Sequence, residues 1–371
     1  MKIGIASTHS FPIGLRGPVT KTGDVVIMDL AIALSQMGHE VSLFTPDGGY
    51  CPPGVTIYPM KCSFGKYPPS GEECELDCFN KYTDVLNSLD IFHDFSVTKI
   101  ITNKLNEIGH KNNISTLMGG AWTHVYDPTN LIVWSESHRY RVLNGFTDFH
   151  ETPLDGLAGS NKPPLNTDAH IVMGGIDTEY YCPTYDKKDY FLFMGRWHPA
   201  RGYKFAIDIA RANPDIEFVM AGEHPDRELF EYQRNCALEA VELTKELPNV
   251  RFEWLPADPD HHDAKKALYQ GAKAFLYSVQ FHEPFGLSQA ESLACGTPVI
   301  GTNYGSVPEV IEHGVTGFVC ENSVQSFTDA IYKINEINPQ TCREHAVNRF
   351  DRKVMAKNYL IEYNSIINGK W

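Results

Sequence analysis

Short runs of β-branched and aromatic residues alternate with stretches of helical period along most of the chain, and this alternation restricts the fold more than any other feature. A strand, a helix and a further strand linked in this way join as a crossover, so repeated units build parallel sheets. In the first half the strand-like runs are residues 2–7, 41–45, 91–95, 115–118, 131–134 and 170–173. In the second half they are residues 190–194, 217–220, 251–254, 274–277, 298–301 and 317–320. Helical periods fill 24–37, 203–212, 226–245, 263–270 and 286–294. Two sets of six strands predict two Rossmann-like domains, and 371 residues is long for a single core. No Gly-x-Gly-x-x-Gly follows the first strand, which argues against a dinucleotide-dependent oxidoreductase.

Net charge is −14, and the two halves share it equally: residues 1–178 carry 12 Lys+Arg against 19 Asp+Glu. That balance argues against nucleic acid and anionic membrane as partners. The start, Met1-Lys2-Ile3-Gly4-Ile5, reads as a strand rather than a signal peptide, and no eighteen apolar residues run together, so the expected location is cytoplasmic. The nine cysteines include four close together, Cys51, Cys62, Cys74 and Cys78, in what reads as a Pro/Gly-rich loop region. A zinc or disulfide clip is conceivable there. The spacing lacks Cys-x2-Cys knuckles, so free thiols are favoured.

Chemistry concentrates between Glu283 and Thr302. Glu283 and Glu291 bracket the start of a helix that Pro284 and Gly286 introduce, and Cys295-Gly296-Thr297-Pro298 ends it before a buried strand. A helix start offers free N–H groups and partial positive charge, which suits a phosphate or sugar hydroxyl. Two acids beside it are placed to handle a phosphorylated, hydroxyl-rich ligand. Upstream, Gly195-Arg196-Trp197-His198-Pro199-Ala200-Arg201-Gly202 follows a strand and opens a helix. Its two guanidinium groups could clamp a diphosphate bidentately.

The register from Ser278 through Glu283 and Glu291 to Gly305-Ser306-Val307-Pro308-Glu309 and Gly314–Phe318 resembles the Glu-x7-Glu region of retaining glycosyltransferases of family 4. That resemblance implies a GT-B fold: two Rossmann-like domains facing each other across a cleft. Gly195–Gly202 resembles the family's Gly-Arg-x4-Lys-Gly, with Arg201 where Lys is usual. The resemblance implies that Arg196 and Arg201 stabilise departing phosphate and that Glu283 holds donor-sugar hydroxyls. The backbone N–H groups of Phe285, Gly286 and Leu287 would assist Glu283, and Glu291 would accept from the ribose hydroxyls. Gly23 keeps the place of the family's Gly-rich loop after the first strand. Met118 stands where the family often has a sugar-contacting His, a role that His124 could take over unless it is structural. No metal and no cofactor are implied, because arginines and a helix end supply the positive charge. The polar run from Asp258 to Asp263 reads as a loop and helix cap.

The expected organisation is an acceptor-binding domain over 1–175, a nucleotide-sugar domain over 176–350 and a C-terminal helix over 351–371. By resemblance that helix packs back on the first domain; otherwise it is a surface helix of the second. The expected function is hexose transfer from a UDP-glucose- or GDP-mannose-type donor to a hydroxyl acceptor. A soluble sugar or glycoside acceptor is favoured over a membrane lipid. The rival readings are a GT-B sugar-nucleotide epimerase and a non-catalytic sugar-nucleotide-binding protein.

Overall fold

The computed structural model describes residues 1–8, 22–48, 51–61, 69–96, 98–118, 130–144, 167–227, 231–256 and 261–371. They divide into two units. One holds the described residues from Met1 to Ile176 together with Asp351–Trp371, and the other holds Asp177–Phe350.

The first unit runs β1 (Lys2–Ala6), α1 (Thr22–Gln36), β2 (Glu40–Pro46), β3 (Val55–Met60), α2 (Gly71–Asn87), β4 (Ile91–Asp94), α3 (Ile100–Glu107), β5 (Asn113–Thr116), β6 (Leu131–Val133), α4 (Glu136–Leu143) and β7 (Ala169–Ile171). All pairings are parallel, in the order β3-β2-β1-β4-β5-β6-β7. The central strands are buried along their length, as expected of a sheet covered on both faces.

Seven strands stand where the sequence predicts six. The additional strand, β3, lies at the sheet edge and carries Pro59, which an edge tolerates because one side of the strand needs no ladder bond. The supposed loop around the cysteines is also corrected. Cys74 and Cys78 are buried free thiols on α2, while Cys51 is an exposed free thiol. Ser70 starts α2 with a capping box: its hydroxyl accepts from the Glu73 N–H at 3.2 Å, and the Glu73 carboxylate accepts from the Ser70 N–H at 2.7 Å. Cys62 lies outside the described residues.

The second unit runs β8 (Tyr190–Met194), α5 (Tyr203–Ala212), β9 (Glu217–Glu223), α6 (Glu231–Thr244), β10 (Val250–Leu255), α7 (His261–Gly271), β11 (Ala274–Tyr277), α8 (Leu287–Ala294), β12 (Val299–Thr302), α9 (Val307–Val310), β13 (Gly317–Cys320), α10 (Val324–Lys333) and α11 (Pro339–Phe350). Its sheet is parallel in the order β10-β9-β8-β11-β12-β13. Phe193, Trp197, Tyr203 and Met220 form one core cluster beneath α5 and α6.

The last helix, α12 (Arg352–Ile367), belongs to the first unit. The Arg352 N–H donates to the Ile176 carbonyl at 2.9 Å, and the Arg352 guanidinium pairs with buried Asp29 of α1 at 3.2 Å. Gly175 lets the helix start there, because a Cβ would stand 2.8 Å from the Met355 Cβ and 3.1 Å from the Arg352 Cα. Further along, the Tyr363 hydroxyl meets His93 Nδ1 at 2.7 Å, and the Tyr359 hydroxyl meets Thr116 Oγ1 at 3.1 Å.

Candidate active site

In an open parallel sheet, loops leaving the C-terminal ends of the two strands where the order reverses part to opposite sides and leave room for a ligand. In the second unit those strands are β8 and β11. The loop after β8 is Gly195–Gly202, and the loop after β11 leads through Ser278 to Gly286. Gly202 brings the two together. Its φ is +80°, and a Cβ would lie 1.7 Å from the Ser278 carbonyl oxygen. The Gln280 N–H donates to the Ala200 carbonyl at 2.8 Å, and the Ser278 hydroxyl to the Gly202 carbonyl at 3.1 Å. Arg201 therefore sits against Glu283, while Arg196 is exposed at the start of its loop.

Glu283 is nearly buried. Its Oε2 accepts from Arg201 Nη1 at 2.7 Å and from the Tyr277 hydroxyl at 2.5 Å. The Arg201 guanidinium also lies over the Phe281 ring, 4.8 Å from its centre. Burial alone would lower the Arg201 pKa, but the charge of Glu283 outweighs it and holds the guanidinium above its ordinary value. Burial first, and Glu283 second, push the Tyr277 hydroxyl well above the usual range.

The loop after β12 supports this segment from behind. Gly305 has φ +58°, and a Cβ would be 2.3 Å from the Glu283 nitrogen. The Ser306 N–H donates to the Glu283 carbonyl at 2.8 Å, and its hydroxyl to the Phe285 carbonyl at 2.9 Å. Phe285 is buried against Phe350. Gly286, at φ +78°, precedes α8 without a side-chain cap, and Leu287 is the first residue of the helix.

Glu291 lies on α8, almost wholly buried. Its Oε2 meets Lys265 Nζ at 2.5 Å and accepts from the Tyr269 hydroxyl at 3.3 Å. Burial, then Glu291, push the Tyr181 and Tyr269 hydroxyls upward. Two cations cap the far end of α8. Lys187 Nζ donates to the Cys295 carbonyl at 3.0 Å, and Arg343 Nη1 to the Ala294 carbonyl at 3.0 Å. Cations at a helix C-terminus oppose its partial negative charge and satisfy its open carbonyls.

Sequence reasoning missed Tyr277, Lys265, Tyr269 and Tyr181. The spacing of Lys265 and Tyr269 on α7 was a usable signal, since residues four apart share a helix face. Nothing in the sequence tied that face to Glu291.

In the first unit, Gly23 is corrected from a loop to the second residue of α1. A Cβ there would lie 2.8 Å from the Met118 sulfur, so the thioether packs directly on the helix start. His124 lies outside the described residues, as do 9–21 of the loop after β1 and 257–260 of the polar run before α7. Asp263 falls in the first turn of α7, where it accepts from the Tyr180 hydroxyl at 2.6 Å. At the end of β4, Lys99 Nζ donates to the Asp94 carbonyl at 2.7 Å and lies 3.6 Å from the Asp94 carboxylate. Lys99 has φ +58°, an uncommon conformation for a non-glycine residue. Glu75 of α2 accepts from the Ile100 N–H at 2.9 Å, capping α3. Burial, and then the charge of Asp94, raise its carboxyl to about 7. Among the described residues no group of three His, Cys, Asp or Glu side chains is arranged to hold a metal ion, and no helix is long and apolar enough to cross a membrane.

Residues 183–349 match the family described as glycosyl transferases group 1. The D-inositol 3-phosphate glycosyltransferase of Pseudarthrobacter chlorophenolicus is 23% identical over 373 residues, covering 86% of this chain and 83% of the relative. Matches to several other curated relatives span about half of the relative's own length. Among solved structures, the sucrose-phosphate synthase of Thermosynechococcus elongatus is similar with a TM-score of 0.71 at 15% identity, covering 99% of each chain. HepE of Anabaena in complex with UDP and glucose is similar with a TM-score of 0.67 at 15% identity, covering 98% of this chain and all of that one. The two parallel α/β units thus make up a GT-B fold, and the group 1 match on the second of them supports a glycosyltransferase enzyme.

Proposed function

We propose that the protein is a retaining, metal-independent glycosyltransferase moving a hexose from a nucleotide-diphosphate sugar of the UDP-glucose or GDP-mannose type to a hydroxyl acceptor. The observation that carries this reading is the convergence of Arg201 and Glu283 on the switch point of the second sheet. A cation for a leaving diphosphate stands there beside a carboxylate for sugar hydroxyls, at the place where open α/β sheets bind ligands. The comparisons support glycosyl transfer, and the complex of HepE with UDP and glucose makes UDP-glucose the first donor to try.

In this mechanism the second unit binds the donor and the first the acceptor. The acceptor oxygen attacks the anomeric carbon as the bond to the diphosphate breaks on the same face, and the departing phosphate oxygen takes up the hydroxyl proton. Arg196 and Arg201 stabilise the charge that develops on the departing phosphate, work that needs donors already in place rather than a nucleophile from the protein. Glu283 orients the sugar, helped by the backbone N–H groups of Phe285, Gly286 and Leu287. Glu291 accepts from the ribose hydroxyls while Lys265 and Tyr269 hold its other side. Gly23, at the start of α1, is the first unit's proposed substrate-binding position, and a soluble sugar or glycoside serves as acceptor.

The test is nucleotide release from UDP-glucose, GDP-mannose and ADP-glucose, with and without EDTA. Release from at least one donor, unchanged by chelation, is expected. No release from any of the three would overturn glycosyl transfer, and a loss with EDTA that added Mg²⁺ or Mn²⁺ restores would overturn metal independence.

A further inference from the structure

We infer that Tyr277 is a positioning residue that commits one oxygen of Glu283 and so assigns the other to the sugar; the inference rests on the glycosyl-transfer reading above. Both contacts of the Glu283 carboxylate fall on Oε2: Arg201 Nη1 at 2.7 Å and the Tyr277 hydroxyl at 2.5 Å. Among the described residues Oε1 makes no hydrogen bond. A carboxylate accepts on two oxygens, and a tyrosine has a single proton to donate. With that proton spent on Oε2, the carboxylate plane is set and Oε1 is the acceptor left for a donor-sugar hydroxyl.

The backbone is shaped around this contact. Tyr277 ends β11, so a buried strand fixes its ring, and the side chain is itself almost fully buried. Its hydroxyl approaches closely only because position 286 is glycine: a Cβ at Gly286 would stand 2.7 Å from the Tyr277 oxygen and 3.2 Å from the Glu283 Cγ. Gly286 is also in the left-handed region, at φ +78°. One residue therefore meets two demands, starting α8 and admitting the hydroxyl that holds the catalytic carboxylate. Arg201 cannot do this work alone. If it turns toward a diphosphate during turnover, Glu283 keeps its orientation only through Tyr277.

The experiment compares Tyr277→Phe with wild type on UDP-glucose, GDP-mannose and ADP-glucose, using the donor that wild type turns over. The expected result is a fall in kcat of at least tenfold, with the affinity for the free nucleoside diphosphate within twofold of wild type and the melting temperature little changed. In a Glu283→Gln background the same Tyr277→Phe change should have no further effect on kcat, because the oriented carboxylate is already gone. A purely structural role would lower nucleotide affinity and stability together and would persist in that background. An active wild type with an equally active Tyr277→Phe variant overturns the positioning role alone. A wild type that releases nucleotide from none of the three donors overturns the parent reading, and this role with it.

Discussion

In the second unit the strands flanking the reversal of the sheet end in loops that carry Arg201 and Glu283, with side chains 26% and 11% exposed. In the first unit the corresponding pair is β1 and β4, and β4 ends at Asp94, where Lys99 pairs with it at 2% and 0% exposure. The topology of the two reversals is the same and the residue types are the same, an acid and a base. What differs is access to water. A partly exposed pair can exchange its partner for a phosphate or a hydroxyl at modest cost, because solvent and ligand replace what is lost. A buried pair cannot, since separating it leaves a charge without compensation. The contrast in exposure supports the ligand chemistry proposed for the second unit's switch point and leaves the charged cluster in the first a buried, cohesive pair.

The sharpest way to break this contrast is to remove the cation from each pair. Lys99→Met should cost about 3–5 kcal/mol of stability, because Asp94 remains buried without its cation. Arg201→Met should cost clearly less stability than Lys99→Met, because its pair is partly reached by water, and should abolish transfer. Thermal unfolding of both variants checks this, and equal losses of stability would erase the distinction. Next in size, Glu283→Ala should lower turnover by about 100- to 1000-fold, the scale seen when a preorganised transition-state contact is removed. Free UDP or GDP should bind it as before by calorimetry, because the proposed partner is the sugar.

The first unit carries a buried carboxyl whose pH dependence can be measured. The Glu75 carboxyl, raised to about 7 by burial and by Asp94, keeps its proton in the native state across a range where the unfolded chain, with an ordinary value of 4.5, has released it. The native state then binds more protons between those values, so this group's contribution to stability falls as pH rises from about 4.5 to 7 and is level above that. Glu75→Gln should match wild type near the acid end of that window. Above pH 7 it should be more stable, by on the order of 3 kcal/mol. Denaturant melts at the two ends measure the difference, and a difference independent of pH would refute it.

A further effect concerns the second carboxylate of the site. Glu291→Ala should weaken free nucleoside diphosphate binding by about 1.5–3 kcal/mol for each charge-assisted hydrogen bond lost. Unchanged UDP and GDP affinity in a calorimeter would remove Glu291 from ribose binding.

Local pattern alone determined much of the second unit. The strands at 190–194, 274–277 and 317–320 and the helix at 203–212 lie where the sequence places them, since each is a short apolar run or a clear helical period between glycine or proline breaks. The first unit was less legible. Its edge strand contains a proline inside a stretch rich in cysteine and glycine, and α2 was hidden by the same composition, although Ser70 and Glu73 spell out its capping box. The carboxylates Glu283 and Glu291 and the arginines were visible as residue types on candidate loops and helices. Their partners were not. Tyr277 reaches Glu283 because β11 and the following loop fold back over Gly286, and Lys265 reaches Glu291 because α7 packs beside α8. The exposure that separates Arg201 from Lys99 is likewise a property of what surrounds each side chain. Sequence sets the period, the breaks and the inventory of charges through short-range sterics and hydrogen bonding. Only packing between distant segments decides which charges meet and which of them water and a ligand can still reach.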